Sequence, residues 1–340
     1  MSTETKHRPA VYREPNGESS RPSTSFFKDP LRLTSIVAPL DLSAESLRAL
    51  DFALPLARRF GARLHYLHVY EGANQFATIA TSPLLWPEAE ARRHLADEVE
   101  LNFGTRPPKE DCHLRIGNPA REIVATAEQL NADLIVMAAH GKGGLRHLLL
   151  GSTAEKIIRS ANCPILIVRE ASRGPVQTSH EGIVLQKILV PVDFSDCALE
   201  GARYASVFAT AVGADLLLMH VVRPHSHQVT ESKGMPQHWT KELKESVLDA
   251  EDKLDVLVNF LPLIGIRAET AVEVGVPAEQ LTLASARAGI DLVILSTHGY
   301  SGLRHALLGS VAEELSREAG CPVLVLPSHL RPEISETAGG

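Results

Sequence analysis

Short apolar runs rich in valine, isoleucine and leucine alternate with longer amphipathic stretches along most of this chain. In the first half the runs are SIVAP, LHYLHVY, HLRIG, LIVMA and PILIV. Near-continuous apolar runs of this length predict strands buried on both faces of a parallel sheet. Between the first two, Ser43 to Phe60 places Leu47, Leu50, Leu54 and Ala57 on one helical face. The order βαβαβαβαβ predicts an α/β fold with a doubly wound parallel sheet. Right-handed crossovers then cover both faces with helices. Ligands of such sheets bind outside the carboxyl ends of the strands, which directs attention to the residues found there.

The pattern occurs twice. SIVAPLDLS matches ILVPVDFSD, and GARLHYLHVY matches GADLLLMHVV. RIGNPAREIV matches EVGVPAEQLT, and the long segment from Asn131 to Val168 matches that from Gly289 to Leu326. The offset is 152 between Asp41 and Asp193 and 158 between Gly141 and Gly299, so copy two holds six extra residues between His220 and Gly275. Two long copies indicate a domain duplication rather than a solenoid. The predicted organisation is a disordered tail over 1–30, domain one over 31–170, a linker over 171–184, domain two over 185–328 and a short tail over 329–340.

Composition narrows the class. A chain of 340 residues, 44% hydrophobic and 22% charged, has enough apolar material for two ordinary globular domains. The net charge of -7 and isoelectric point near 6.1 argue against a nucleic-acid-binding surface. Cys112, Cys163, Cys197 and Cys321 form no CxxC or zinc-like spacing. Cys163 and Cys321 each precede a proline and an apolar run, which predicts buried, reduced thiols. No signal-like N-terminal stretch and no run of membrane-spanning length is seen, so a cytoplasmic protein without membrane contact is expected.

Three constellations fall at predicted strand ends. Pro39-Leu40-Asp41 and Pro191-Val192-Asp193 close strand one. Each aspartate fits a helix cap, a role Ser43 or Ser195 could also fill, or a carboxylate facing the ligand crevice. His68-Val69 and His220-Val221 close strand two; a histidine here is most simply packed and hydrogen-bonded, and the valine offers an apolar wall to a flat base. After strand four come His140-Gly141, nine residues, then Gly151-Ser152, repeated as His298-Gly299, nine residues, then Gly309-Ser310. Glycines let a ligand approach the main chain, and free amides at a helix start bind phosphate. Ser152 to Glu155 and Ser310 to Glu313 also fit capping boxes, which accounts for those residues but not for the paired glycines. Neither a Walker motif nor GxGxxG is present. Arg146-His147 and Arg304-His305 read as a solvated loop or as cations for phosphate. Gly117-Asn118-Pro119 and Gly275-Val276-Pro277 read as structural helix starts.

These residues resemble the universal stress protein family over both copies. The most specific element is the family's ATP-binding loop, G-x-x-G, nine residues, G-S/T. The second glycine is Gly141 or Gly299 and the closing pair Gly151-Ser152 or Gly309-Ser310. Ala138 and Ser296, both small, stand at the first glycine. The resemblance implies a five-stranded parallel sheet per domain. It also implies adenine-side contacts from Asp41, Val69, Asp193 and Val221, and ATP as ligand with Mg²⁺ on its phosphates. Leu40, His140, Thr153, Val192, His298 and Val311 complete the expected lining of the two pockets. Tandem copies are expected to pack as an internal pseudo-dimer along their last strands, PILIV and PVLVL, which would otherwise be exposed apolar edges. A homodimer of whole chains and an unidentified protein partner are further expectations. The expected role is that of a cytoplasmic stress-response sensor or regulator. No base placed to activate water is evident, so a weak ATPase is the alternative, and a nucleotide-free scaffold the third reading. Thr297 against Ala139, and Thr153 against Val311, are differences that make the two sites unequal.

Overall fold

The computed structural model describes residues 8–9, 31–71, 88–140, 150–169, 177–179, 182–224, 229–230, 238–287, 289–297 and 309–327. Domain one contributes strands β1 (Ser35–Pro39), β2 (Arg63–Tyr70), β3 (Cys112–Ile116), β4 (Leu134–Ala138) and β5 (Ile165–Val168). Domain two repeats them as β6 (Lys187–Pro191), β7 (Asp215–Val222), β8 (Ala268–Val274), β9 (Leu292–Ser296) and β10 (Val323–Leu326). The helices are α1 (Ala44–Leu47), α2 (Leu50–Phe60), α3 (Glu88–Phe103), α4 (Pro119–Gln129) and α5 (Ser152–Ser160) in domain one. Domain two has α6 (Asp196–Val212), α7 (Lys241–Phe260), α8 (Pro277–Ser285) and α9 (Ser310–Glu318). The expected helix from Ser43 to Phe60 is interrupted. Asp51 and Phe52 donate to the carbonyls three residues back, of Arg48 and Ala49. Pro55 inside α2 has no amide for the Asp51 carbonyl and crowds that preceding turn.

Within each domain the strand order is 3-2-1-4-5, all parallel. The two last strands then pair antiparallel, with Val323 opposite Ile167 and Val325 opposite Ile165. Arg8–Pro9 adds a two-residue antiparallel pairing on the outer edge of β8, giving one sheet of eleven strands among the described residues. The seam explains why β5 and β10 can be so apolar. All eight of their residues are buried, and no edge is left exposed between the domains.

Both faces of the joined sheet are covered. One buried cluster unites α2, α3, α6 and α7 with residues such as Ile36, Val136, Ile188 and Leu324. The other unites α4, α5, α8 and α9 with Val37, Ile135, Val293 and Val325. Each cluster runs through both copies. Across the seam Phe60 meets Phe208 at 6.1 Å between ring centroids, and Arg59 Nε donates to the Ala211 carbonyl at 2.7 Å, near the C-terminus of α6. Where the sequence predicts a linker, residues 177–179 and 182–184 form a short antiparallel pairing, and Ile183 and Leu185 are buried in the first cluster. The tail residues other than Arg8 and Pro9 lie outside the described residues. Cys112, Cys163 and Cys321 are buried thiols, and burial pushes Cys163 up to about 12.

Asp133 and Asp291 hold the opposite, amino-terminal end of each sheet. Asp133 Oδ2 accepts from the amides of Thr34 and Ser35 at 2.6 and 3.0 Å. Asp291 Oδ2 accepts from the amides of Gln186 and Lys187 at 2.6 and 3.3 Å. Removing one acceptor orphans two strand amides, so Asp133→Ala is expected to cost about 1–2 kcal/mol. A urea midpoint unchanged from wild type would contradict this role.

The copies differ chemically inside domain one. His65 Nδ1 lies 3.1 Å from His113 Nε2, across β2 and β3, where copy two has Leu217 and Ala271. One ring must donate and the other accept, so the accepting ring is neutral and the two cannot both be charged. Burial is the main cause lowering both; His113 falls to about 4, with His65, Arg115 and Arg92 adding to the effect. Asp111 opposes the shift at His65 and Arg63 reinforces it. The unfolded rings bind protons below about pH 6.5, while the folded His113 resists until about 4. Stability is therefore intact above 6.5 and is lost as the pH falls from 6.5 toward 4. His65→Leu with His113→Ala, the residues of copy two, is expected to flatten that slope. Urea midpoints between pH 7 and 5 that fall equally in the wild type and this variant would contradict the assignment.

Candidate nucleotide sites at the carboxyl ends of the strands

The chain turns sharply at the end of strand one in both domains. Asp41 Oδ1 accepts from the Ser43 amide and hydroxyl at 2.9 and 2.5 Å. Asp193 Oδ1 does the same for Ser195 at 3.0 and 2.6 Å. The serines, not the aspartates, are the helix caps. Ser43 Oγ accepts from the Ser46 amide that opens α1, and Ser195 Oγ from the Ala198 amide that opens α6. Between aspartate and serine, Leu42 and Phe194 take φ values of 62° and 64°. Non-glycine residues pay about 1–2 kcal/mol for that conformation. Carrying the same strain in both copies marks the turn as a constrained part of the strand ends, where ligands of such sheets bind.

The end of strand two is tied to this turn. His68 Nδ1 donates to the Leu40 carbonyl at 2.6 Å and His220 Nδ1 to the Val192 carbonyl at 2.7 Å. The amides of Leu40 and Val192 donate to the carbonyls of Leu67 and Met219 at 2.7 and 2.9 Å. Leu40 and Val192 are therefore engaged through their backbones, and their side chains are buried in the core. The two histidines act as cross-strand ties, and Val69 and Val221 follow them at the strand end, packed on the second cluster.

The helix after strand four begins at a glycine. Gly151 is the cap residue of α5 and Gly309 that of α9, with φ and ψ of −60° and 141° in one and −61° and 144° in the other. These angles are open to any residue. What requires glycine at 151 is proximity: its amide donates to the Ala139 carbonyl at 2.9 Å, and an added Cβ would stand 2.9 Å from that same oxygen. Gly309 repeats the bond to the Thr297 carbonyl at 2.9 Å. As glycines, neither cap residue offers a side chain to its helix start, and among the described residues none caps either helix. The capping boxes that the spacing fits do not form, because Ser152 and Ser310 are already the first helical residues. Glu155 and Glu313 instead reach forward to Arg159 and Arg317. The first-turn amides of Ser152, Thr153 and Ala154, and of Ser310, Val311 and Ala312, have no intrahelical acceptor. Each set forms a cradle with the positive end of a helix dipole.

At the first-glycine position of the loop pattern, Ala138 and Ser296 end β4 and β9 with no left-handed backbone angle. Ser296 Oγ donates to the Cys197 carbonyl at 2.7 Å, so the hydroxyl is directed at α6. His140 Nε2 is buried without a hydrogen-bond partner among the described residues. Burial, and then Arg169, lower its pKa and favour the neutral ring. Gly117 and Gly275 both have φ of 153°, and a Cβ would crowd the side chains of Glu122 and Gln280, so their role is structural as expected. Gly141, His298, Gly299, Arg146, His147, Arg304 and His305 lie outside the described residues. The Asp133 and Asp291 clamps show in the sequence only as aspartates repeated before an apolar run.

The family model of the universal stress protein family matches residues 33–169 and again 185–327. The chain belongs to the universal stress protein family. A universal stress protein of Methanocaldococcus jannaschii is 35% identical over 150 residues, 41% of this chain and 83% of the relative. One from Mycobacterium bovis is 25% identical over 308 residues, 87% of this chain and 98% of its own length, so the likeness spans both domains. Among solved structures, a universal stress protein of Archaeoglobus fulgidus superposes with a TM-score of 0.58 at 20% identity, covering 87% of this chain and 97% of that one. That match bears on the fold alone. Among the described residues of this universal stress protein, no helix is long and apolar enough to cross a membrane. No group of three or more metal-ligating side chains occurs among them either.

Proposed function

We propose that each domain binds an adenine nucleotide, ATP with Mg²⁺ carried on its phosphates, and that occupancy makes the protein a stress-response regulator. The observation that carries this reading is the glycine-capped helix start at Gly151 and again at Gly309, with no capping side chain among the described residues. An anion there gains several amide hydrogen bonds and a favourable helix dipole. In this reading Asp41 and Asp193 face the base from their constrained turns, and Val69 and Val221 provide its apolar wall. Magnesium would be held by the phosphates and water. Thr153 against Val311 gives domain one an extra hydroxyl in the phosphate cradle. Domain one is accordingly the tighter site.

A binding role is favoured over hydrolysis. Burial favours the neutral ring of His140, but no described hydrogen bond orients it as a base, and in this reading it lines the pocket. Titration calorimetry with MgATP tests the proposal: two sites per chain are expected. Absence of heat at millimolar MgATP would leave the scaffold reading standing instead. An aspartate on the base side predicts that Asp41→Ala weakens ATP but not inorganic triphosphate. Equal weakening of both would place Asp41 elsewhere in the pocket.

A further inference from the structure

The outer face of α7 is unlike that of its counterpart in domain one. Leu248, Val256 and Phe260 are 59%, 55% and 66% exposed, and Ile264 just beyond the helix is 74% exposed. At 100° per residue the first three fall within about 120° of arc, along about 18 Å of helix. In α3 the corresponding exposed surface is polar, with Glu90, Arg93, Asp97 and Glu100, and Leu101 is its one large apolar residue. The duplicated fold therefore stands without an apolar stripe at this place. Helix α7 covers β7 and β8 at the far end of the sheet, away from the β5–β10 seam and from the start of α9. Neither the domain pairing nor the nucleotide site uses the stripe.

Acidic side chains are interleaved with it. Asp249 is paired with Lys253 at 2.7 Å and Glu245 with Lys241 at 3.5 Å. Glu251, Asp252 and Asp255 make no ion pair among the described residues, against a single such cation on the helix, Lys244. A second copy of the same acidic face would be repelled. A helix with its own apolar stripe and lysine or arginine flanks would bury the exposed side chains and neutralise those carboxylates.

We propose that the α7 face of domain two is a docking surface for a basic amphipathic helix of a partner protein. The interaction joins hydrophobic burial to charge pairing, so it weakens with salt. It is independent of nucleotide binding.

The test uses the full chain and a fluorescent helical peptide, with leucines on one face and lysines flanking them. A scrambled peptide of the same composition is the control. Fluorescence anisotropy is expected to give binding on the order of micromolar for the amphipathic peptide and about tenfold weaker binding for the scrambled one. Val256→Asn with Phe260→Asn, both exposed, is expected to weaken binding about tenfold, and Asp252→Lys with Asp255→Lys comparably. Circular dichroism of these variants should match wild type. Equal binding of the two peptides, or unchanged binding by both variant pairs, would overturn the proposal. So would sedimentation showing that the wild-type chain is a dimer and the Val256→Asn, Phe260→Asn variant a monomer, since the face would then belong to a second copy.

Discussion

Gly151→Val is expected to remove MgATP binding from domain one and leave domain two intact. The new Cβ would stand 2.9 Å from the Ala139 carbonyl oxygen, which already accepts the Gly151 amide. The main chain must then move apart, and the move displaces the amides of Ser152 to Ala154. The fold should survive, because the backbone angles at 151 suit any residue and the helix is otherwise anchored by Ala154, Ile157 and Ile158. Losing a preorganised anion cradle is expected to cost about 2–3 kcal/mol of binding, or roughly fifty-fold in affinity. Gly309→Val should do the same to domain two. Calorimetric stoichiometry should fall from two to one in each single variant and to zero in the double. Two intact sites in Gly151→Val would place the phosphates somewhere other than the start of α5.

The second large effect concerns the seam. Val325→Asp puts a carboxylate opposite Ile165, in a cluster that runs through both domains. Val325 is wholly buried, and its surroundings in the cluster are aliphatic. An unpaired charge there is expected to destabilise the chain by at least about 4 kcal/mol. Both cores are continuous across the seam, so wild type should unfold in a single transition and the variant should lower that transition as a whole. Two separate transitions, with only one of them shifted, would show that the domains are energetically independent.

The sequence disclosed the strands because parallel strands buried on both faces must be apolar throughout, as Leu134–Ala138 and Ile165–Val168 are. It disclosed the seam for a related reason: an edge as apolar as Val323–Leu326 needs a partner. Duplication separated repeated chemistry from chance, which is how Gly151 and Gly309 stood out. The spacing was less informative where one residue type serves two purposes. Ser152 with Glu155 satisfies the capping-box pattern, yet the cap falls one residue earlier, where Gly151 can approach Ala139. Asp41 and Asp193 fit helix caps equally well, and only the geometry assigns that role to Ser43 and Ser195. The left-handed angles of Leu42 and Phe194 carry no signal in the sequence, because neither residue favours them. The His65–His113 contact was equally hidden, since it depends on the register that sets β3 beside β2.

The most direct test of the two-pocket account is residue-resolved amide exchange by NMR on the full chain, with and without MgATP. Slowed exchange is expected at Ser152 to Ala154 and at Ser310 to Ala312, with inorganic triphosphate giving the same pattern more weakly. Binding of MgATP that leaves both sets of amides unchanged would contradict it.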